Sequence, residues 1–286
     1  MVLVADGGST KVDWIAIDNN NKEIFRVRTS GLNPNVVSTS ELLCRIESIE
    51  ELKQYKESIK QLYFYGAGLG TETPKKLLKE IFEKFFNNAK TIFVEEDILG
   101  AVYASAENKK AIVCILGTGS NSCYYDGENI ECISPSLGYT IMDEASGNYY
   151  GKRLLRDYYY KKMPATISTF FENEFRLVPD TIKYNLYKAD NPNKYLASYA
   201  KFMFDHQEDE YIKKLVKNGF KKFFKFHITN YKKPKDTPIY FIGSIAYYFK
   251  NILEEVATGN GLEITAIVRK PIDNLIEYHK KLNTNR

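Results

Sequence analysis

The chain has little with which to build a metal centre. Its four cysteines, Cys44, Cys114, Cys123 and Cys132, form no CxxC pair, and its three histidines, His206, His227 and His279, are scattered. That argues against a structural zinc site and leaves an iron–sulfur cluster without closely spaced thiolates. No apolar run approaches membrane-spanning length, and Met1 leads straight into an apolar strand rather than a secretory leader. A reducing cytoplasm is the expected setting, with no membrane partner. A net charge of +4 on 286 residues is too small to imply a polyanionic partner. At 44% hydrophobic and 14% aromatic residues, the composition favours packed cores over disorder, and the length suits one large domain or two modest ones.

What is present centres on a short glycine-rich stretch. The apolar run Ala111–Ile115 meets Leu116-Gly117-Thr118-Gly119-Ser120-Asn121-Ser122, and a second extended run, Cys123-Tyr124-Tyr125, follows. This reads as a β-hairpin with its tip stripped of bulk. Glycine there serves the turn alone, or lets a ligand approach the main chain so that backbone amides surround a phosphate. The pattern also occurs at the N-terminus, where Val2–Ala5, the turn Asp6-Gly7-Gly8-Ser9-Thr10-Lys11 and the run Val12–Ile17 succeed one another. Two such units about a hundred residues apart, each opening half of the chain, form an internal repeat.

Taken in order, residues 1–30 read as three strands, and Pro34 holds Asn33 extended in the loop that follows. Asn33 either shapes that turn or aims its amide at a polar ligand. Residues 40–59 carry a helical pattern; Leu62–Tyr65 is a buried strand ending in Gly66-Ala67-Gly68-Leu69-Gly70, and Pro74 opens a helix. Thr91–Val94 is a further strand, and Asp97 stands where it gives way to a helix, as an N-cap, a base at the mouth of a site, or both. After the central hairpin, Ile130–Ile133 reads as a third strand, and acidic Asp143-Glu144 precede a helix through Leu155. Residues 156–235 are helical and loop-like, broken by Pro164, Pro179 and Pro192. Positions 213–235 hold nine lysines and no acidic residue, interleaved with apolar residues at helical spacing. An amphipathic helix with solvated lysines accounts for that better than a nucleic-acid surface, so no nucleic-acid partner is expected. Ile239–Ile242 is a strand leading to Gly243-Ser244; Ile264–Val268 is another, and Pro271 begins a terminal helix.

Three turns now stand in a recognisable order: Asp6–Lys11, Leu116–Asn121 and Gly243-Ser244. They resemble the phosphate-1, phosphate-2 and adenosine motifs of the superfamily of sugar kinases, heat-shock ATPases and actin. Gly117-Thr118-Gly119-Ser120-Asn121 together with Gly138–Gly147 is similar to the BadF/BadG-type ATPase family, in its N-acetylglucosamine kinase branch, and the resemblance spans nearly the whole chain. It implies an α/β fold of two actin-like (ribonuclease H-like) domains, each a mixed sheet flanked by helices, with an ATP and sugar cleft between them. The expected domains are residues 1–108 and 109–286, the second with a helical insertion at about 156–235, and with the helix at 271–286 returning to the first.

The resemblance further implies that Asp6 orients Mg²⁺ through water and that Gly8, Ser9, Thr10 and Lys11 meet the ATP phosphates. Gly117, Thr118 and Gly119 would hold the other side of the triphosphate, and Gly243 and Ser244 would pass close to the adenosine. Asn33, Gly66, Ala67, Gly68, Asn121 and Asp143 match segments that line the sugar pocket, and Asp97 matches the catalytic carboxylate. These assignments imply ATP-dependent phosphorylation of an amino sugar, at the 6-hydroxyl, with ATP and Mg²⁺ as cofactors. A homodimer is compatible with the resemblance. Tyr139 stands where relatives often have smaller residues, which leaves the preferred sugar open. The rival functions are an ATPase that activates a dehydratase or reductase, a branch that needs a cysteine-ligated cluster, and a non-catalytic sugar or nucleotide sensor.

Overall fold

The computed structural model describes residues 1–232 and 234–284. Lys233, Asn285 and Arg286, which the sequence reading placed in the lysine run and the terminal helix, lie outside them. The chain divides into two compact units, one comprising Met1–Lys109 with the segment from Lys270 onward, the other Lys110–Arg269.

The first unit is built on the strands β1 (Val2–Gly7), β2 (Lys11–Ile17), β3 (Glu23–Ser30), β4 (Gln61–Gly66) and β5 (Thr91–Glu96), in the order β3-β2-β1-β4-β5. Strands β1, β2 and β3 form an antiparallel meander, while β4 and β5 run parallel to β1. Side chains alternate across the sheet as period-two geometry requires. Leu3, Ala5, Trp14 and Ala16 pack on the face covered by α1 (Thr39–Glu47), α2 (Glu50–Tyr55) and α3 (Glu72–Phe85). Val2, Val4, Ile15 and Ile17 pack on the other face, with Ala104 of α4 (Asp97–Ser105). Each such buried aliphatic side chain contributes about 2 kcal/mol. The single helix expected over 40–59 is two helices. Ser48 closes α1, its hydroxyl donating to the Arg45 carbonyl, and Ile49 is extended (φ −97°, ψ 119°). A serine that hydrogen-bonds the local backbone competes with helix continuation, and here it marks the break.

The second unit repeats this plan with β6 (Ala111–Leu116), β7 (Ser120–Tyr125), β8 (Ile130–Glu131), β9 (Ile239–Ile242) and β10 (Ala266–Val268). Their order, β10-β9-β6-β7-β8, matches that of the first sheet with β6 in the place of β1 and β9 in that of β4. Pairing directions correspond as well: β6, β7 and β8 are an antiparallel meander, and β9 and β10 run parallel to β6. The internal repeat of the sequence is therefore a repeat of topology. Strand β8 is shorter than Ile130–Ile133 suggested.

Between β8 and β9 lie α5 (Gly147–Tyr159), α6 (Ala165–Glu174), α7 (Pro179–Tyr187), α8 (Pro192–Tyr199), α9 (Phe202–Asp205) and α10 (Glu210–Phe223), the last continuing into a π-helical turn, Phe224–Ile228. The lysine-rich segment is amphipathic. Ile212, Leu215, Val216, Phe220, Phe223 and Phe224 are buried, while Lys214, Lys221 and Lys222 are exposed. Helices α11 (Ser244–Tyr248) and α12 (Lys250–Gly259) connect β9 to β10. Cys114 and Cys123 are fully buried core residues. The final helix, α13 (Ile272–Thr284), returns to the first sheet, where Ile272, Leu275 and Ile276 join Val2 and Val4 and the Tyr65 hydroxyl meets His279 Nε2 at 3.0 Å.

Candidate functional site

In the first unit the candidate residues gather at the carboxyl ends of β1 and β4, where open α/β sheets place their ligands. Strands β1 and β2 pair Asp6 opposite Asp13, so the Gly8-Ser9-Thr10 turn closes the hairpin just beyond a pair of carboxylates. The two carboxylates behave differently. Burial and, after it, the charge of Asp13 push Asp6 up to about 7, against a smaller opposing pull from Lys11. Burial pushes Asp13 up as well, but hydrogen bonds from Lys11 and Arg28 outweigh it and hold Asp13 below its ordinary value. Lys11 Nζ lies 3.0 Å from Asp13 Oδ2, and Arg28 Nε donates to Asp13 Oδ1 at 2.6 Å. The sequence reading missed Asp13 and Arg28. The signal was there in the alternation of β2, which sets residues 11 and 13 on one face.

Asn33 is buried and sits between two of the other candidates, Ser9 and Gly68. Its Nδ2 donates to Ser9 Oγ at 3.2 Å, and its Oδ1 accepts from the Asn35 amide. Gly68 has φ +82°, and a Cβ there would stand 2.1 Å from Asn33 Oδ1. Residue 68 is glycine because the left-handed backbone and the Asn33 amide leave no room for anything else. Ala67 N–H donates to the Gly7 carbonyl at 2.7 Å, tying the Gly66-Ala67-Gly68 turn to the end of β1. Asp97 is the first residue of α4 and half-buried; the N-cap position falls one residue earlier, on Glu96, whose side chain makes no capping bond. Burial raises Glu96 above its ordinary value, and its carboxylate lies against Gly70.

In the second unit, Gly117, Thr118 and Gly119 join β6 to β7. The carbonyls of Gly117 and Thr118 accept N–H bonds from Gly147 and Asn148, at 2.8 and 3.0 Å, in the first turn of α5. Across a trans peptide the C=O and the following N–H point in opposite directions, so the amides of Thr118 and Gly119 are directed away from α5. A turn whose N–H groups project in this way suits an anion. Gly243, between β9 and α11, has φ +116°, and its Cβ would stand 2.3 Å from the Leu116 carbonyl oxygen. The Gly243-Ser244 turn thus lies directly against the Gly117–Gly119 turn.

Asp143 is buried beside the same turn. Its Oδ1 accepts from Ser120 N–H at 3.3 Å and its Oδ2 from Asn148 Nδ2 at 3.0 Å. Burial raises its affinity for a proton, opposed by those two bonds. Asp143 and Ala145 both adopt left-handed conformations, φ 71° and 59°. For residues other than glycine that costs on the order of 1–3 kcal/mol each. Asn121 follows on β7, half-buried, with its Oδ1 accepting from the Ser122 amide at 2.8 Å. Ser146, Asn148, Glu144 and His227 belong to this cluster and were not singled out from the sequence. Ser146 did carry a signal, as a serine opening a helix; its hydroxyl caps α5 by accepting from Tyr149 N–H.

Among the described residues, no group of three or more His, Cys, Asp or Glu is disposed to hold a metal ion. A magnesium ion does not require one, since it is commonly bound through one or two carboxylates, water and substrate phosphates. Asp6 fits that part: a desolvated carboxylate at a strand end, with a raised proton affinity that a nearby hydrated cation would lower. No helix among the described residues is long and apolar enough to cross a membrane.

Two topologically equivalent mixed sheets, each opening on a glycine hairpin and flanked by helices, define the actin-like two-domain ATPase fold. No family model matches the chain. A solved structure from Porphyromonas gingivalis, described as a putative N-acetylglucosamine kinase, is 33% identical and superimposes with a TM-score of 0.90, over 98% of this chain and 99% of that one. An N-acetyl-D-glucosamine kinase of Dictyostelium discoideum is 25% identical over 166 residues, 53% of this chain. The matched stretch spans about half, 51%, of the length of that curated relative. A glucokinase of the ROK family from Streptomyces griseus, solved with glucose and AMPPNP, shares the fold at 11% identity and a TM-score of 0.54, over 98% of both chains. The chain belongs to the N-acetylglucosamine kinase-like family of the actin-like sugar kinase superfamily.

Proposed function

We propose that the protein transfers the γ-phosphoryl group of ATP to an amino sugar of the N-acetylglucosamine type, at its 6-hydroxyl. The observation that carries this reading is the cluster of Ser9, Asn33 and Gly66–Gly68 beside the first glycine hairpin, in a chain with close kinship to a sugar kinase by name. It sets an amide able to orient a hydroxyl next to a turn suited to phosphate.

Phosphoryl transfer asks for positioning and charge neutralisation more than for covalent chemistry. The amides of Thr118 and Gly119 and the Gly8–Thr10 turn take the triphosphate oxygens, with Lys11 adding a positive charge. Gly243 and Ser244 bound the adenosine. Asp6 would hold magnesium through water, and the ion would supply charge neutralisation on the phosphates. Asn33, Asn121 and Asp143 orient the sugar, and Asp97 accepts the proton of the attacking hydroxyl. General-base assistance of this kind is worth roughly 10²–10⁴-fold. The half-buried position of Asp97 as the first residue of α4, directly after the end of β5, supports that role.

The test is ADP release from MgATP with N-acetylglucosamine, glucosamine, N-acetylmuramic acid, N-acetylmannosamine, glucose and no sugar. Release that depends on one amino sugar supports the proposal, and the phosphorylated position is then read by NMR of the product. Release indifferent to every sugar refutes it in favour of an ATPase acting on a protein partner.

A further inference from the structure

Glu144 stands between the two left-handed residues of the acidic turn, and its own contacts are unusual for a surface glutamate. Its carbonyl accepts from Ser120 Oγ at 2.8 Å, and its carboxylate oxygen Oε2 lies 3.5 Å from His227 Nε2. His227 comes from 83 residues further along the chain, in the π-helical turn after α10. That turn explains how the ring arrives there. The Thr229 amide donates to the Phe224 carbonyl, five residues back, and the extra residue lets both Phe223 and Phe224 enter the core. Phe223 then stacks on the His227 ring with centroids 4.5 Å apart.

The other side of the ring is occupied too. His227 Nδ1 lies 3.4 Å from Ser122 Oγ, which also meets the Tyr231 hydroxyl at 3.0 Å and donates to the His227 carbonyl. The imidazole is therefore held on two sides, by Ser122 of β7 at Nδ1 and by the Phe223 ring at the end of α10, and presents its remaining nitrogen to Glu144. Both ends of this chain of contacts reach the candidate site, through Ser122 next to Asn121 and through Glu144 next to Asp143. A π turn inside a helix is frequently associated with function. The other charged groups that act on Glu144 or on Asp143 beside it, Lys222 and Lys152, make no hydrogen bond to either carboxylate among those described.

We infer that His227 is a positioning residue of the sugar half of the site: its ring braces the Glu144 side chain and so holds the strained turn that carries Asp143 in register with Asn121 on β7. This rests on the amino-sugar kinase reading, and it assigns to the helical insertion a part in acceptor binding that its own exposed surface does not show.

The test is isothermal calorimetry of N-acetylglucosamine with the wild-type protein and with His227→Ala, His227→Gln, Glu144→Gln and the double variant His227→Ala/Glu144→Gln. His227→Ala is expected to weaken sugar binding about tenfold at unchanged stoichiometry, the scale of coupling between groups in one network. His227→Gln, whose amide still donates to a carboxylate, is expected to recover most of that loss. The double variant should bind no more weakly than the worse of the two single ones. A general loss of folding would lower the stoichiometry instead and would not be rescued by glutamine. If the alanine variant does not fold, His227→Gln compared with Glu144→Gln carries the test, with the loss expected only in the latter. Wild-type affinity in the alanine variant, or additive losses in the double one, overturns the inference and leaves the kinase reading standing. A wild-type protein that binds none of the amino sugars overturns the kinase reading, and the inference with it.

Discussion

Asp6 carries a charge that the folded protein tolerates poorly, and that gives a prediction about stability rather than activity. Its carboxyl is held at about 7 against an ordinary 3.8, first by burial and then by the charge of Asp13. The gap between 3.8 and 7, at 1.36 kcal/mol for each pH unit, amounts to about 4 kcal/mol. The sign follows from proton binding. Between those two pH values the folded state keeps a proton that the unfolded state has lost, so stability falls as pH rises through the interval. The penalty is absent below about 4 and fully present above about 7. Asp6→Asn removes the charge while keeping the shape. In chelator, without nucleotide, the variant should match the wild-type protein at pH 4 and exceed it by up to about 4 kcal/mol at pH 8. The assay is urea unfolding followed by fluorescence of Trp14, the protein's one tryptophan. Trp14 is fully buried on β2, pairs with Ala5 on β1 and so reports on the sheet that holds Asp6. A stability difference that is flat from pH 4 to 8, or a variant less stable at pH 8, would refute the reasoning. The same substitution should abolish most ADP release, a trade of activity for stability expected at a site built for a cation.

Three further outcomes are expected. Asp97→Asn should cut sugar-dependent turnover roughly 10²–10⁴-fold while leaving the calorimetric affinity for sugar within a few fold; a variant with most of its turnover removes Asp97 from the base role. Gly243→Ala should weaken ATP binding and lower the melting temperature, because its Cβ would stand 2.3 Å from the Leu116 carbonyl at a φ of +116°; unchanged ATP affinity would show that this turn lies away from the nucleotide. Asn33→Ala should raise the KM for sugar more than the KM for ATP, since it removes the amide that joins Ser9 to the Gly68 turn; equal effects on both would speak for a loop-shaping role alone.

The two hairpins were legible in the sequence because each writes an apolar run, a glycine turn and a second apolar run within about twenty residues. The equivalence of the two sheets followed from that repeat, although the parallel partners β4 and β9 lie far along the chain from β1 and β6. What joins the turns was not legible. Asn33 reaches Ser9 across 24 residues and Glu144 reaches His227 across 83. No local rule encodes such distances. Helical periodicity placed apolar residues along one face of the basic helix but could not foresee the π turn that brings the His227 ring to Glu144. Residues 40–59 show the opposite failure: the apolar stripe is real, since Leu42, Ile46 and Leu52 are buried on one side, but a stripe says nothing of a break at Ser48.

The return of α13 to the first sheet has a consequence for how the molecule is made. Residues 110–269 are contiguous and can complete their contacts as soon as they leave the ribosome. The first sheet cannot, although it is synthesised first. One of its faces, with Val2, Val4, Ile15 and Ile17, waits for Ile272, Leu275 and Ile276, and the Tyr65 hydroxyl waits for His279. Until those residues emerge, the nascent chain carries an apolar sheet face covered only in part, by α4, through the synthesis of the whole second unit. The order of completion is thus the reverse of the order of translation, and the half made first is the one whose apolar surface stays exposed longest.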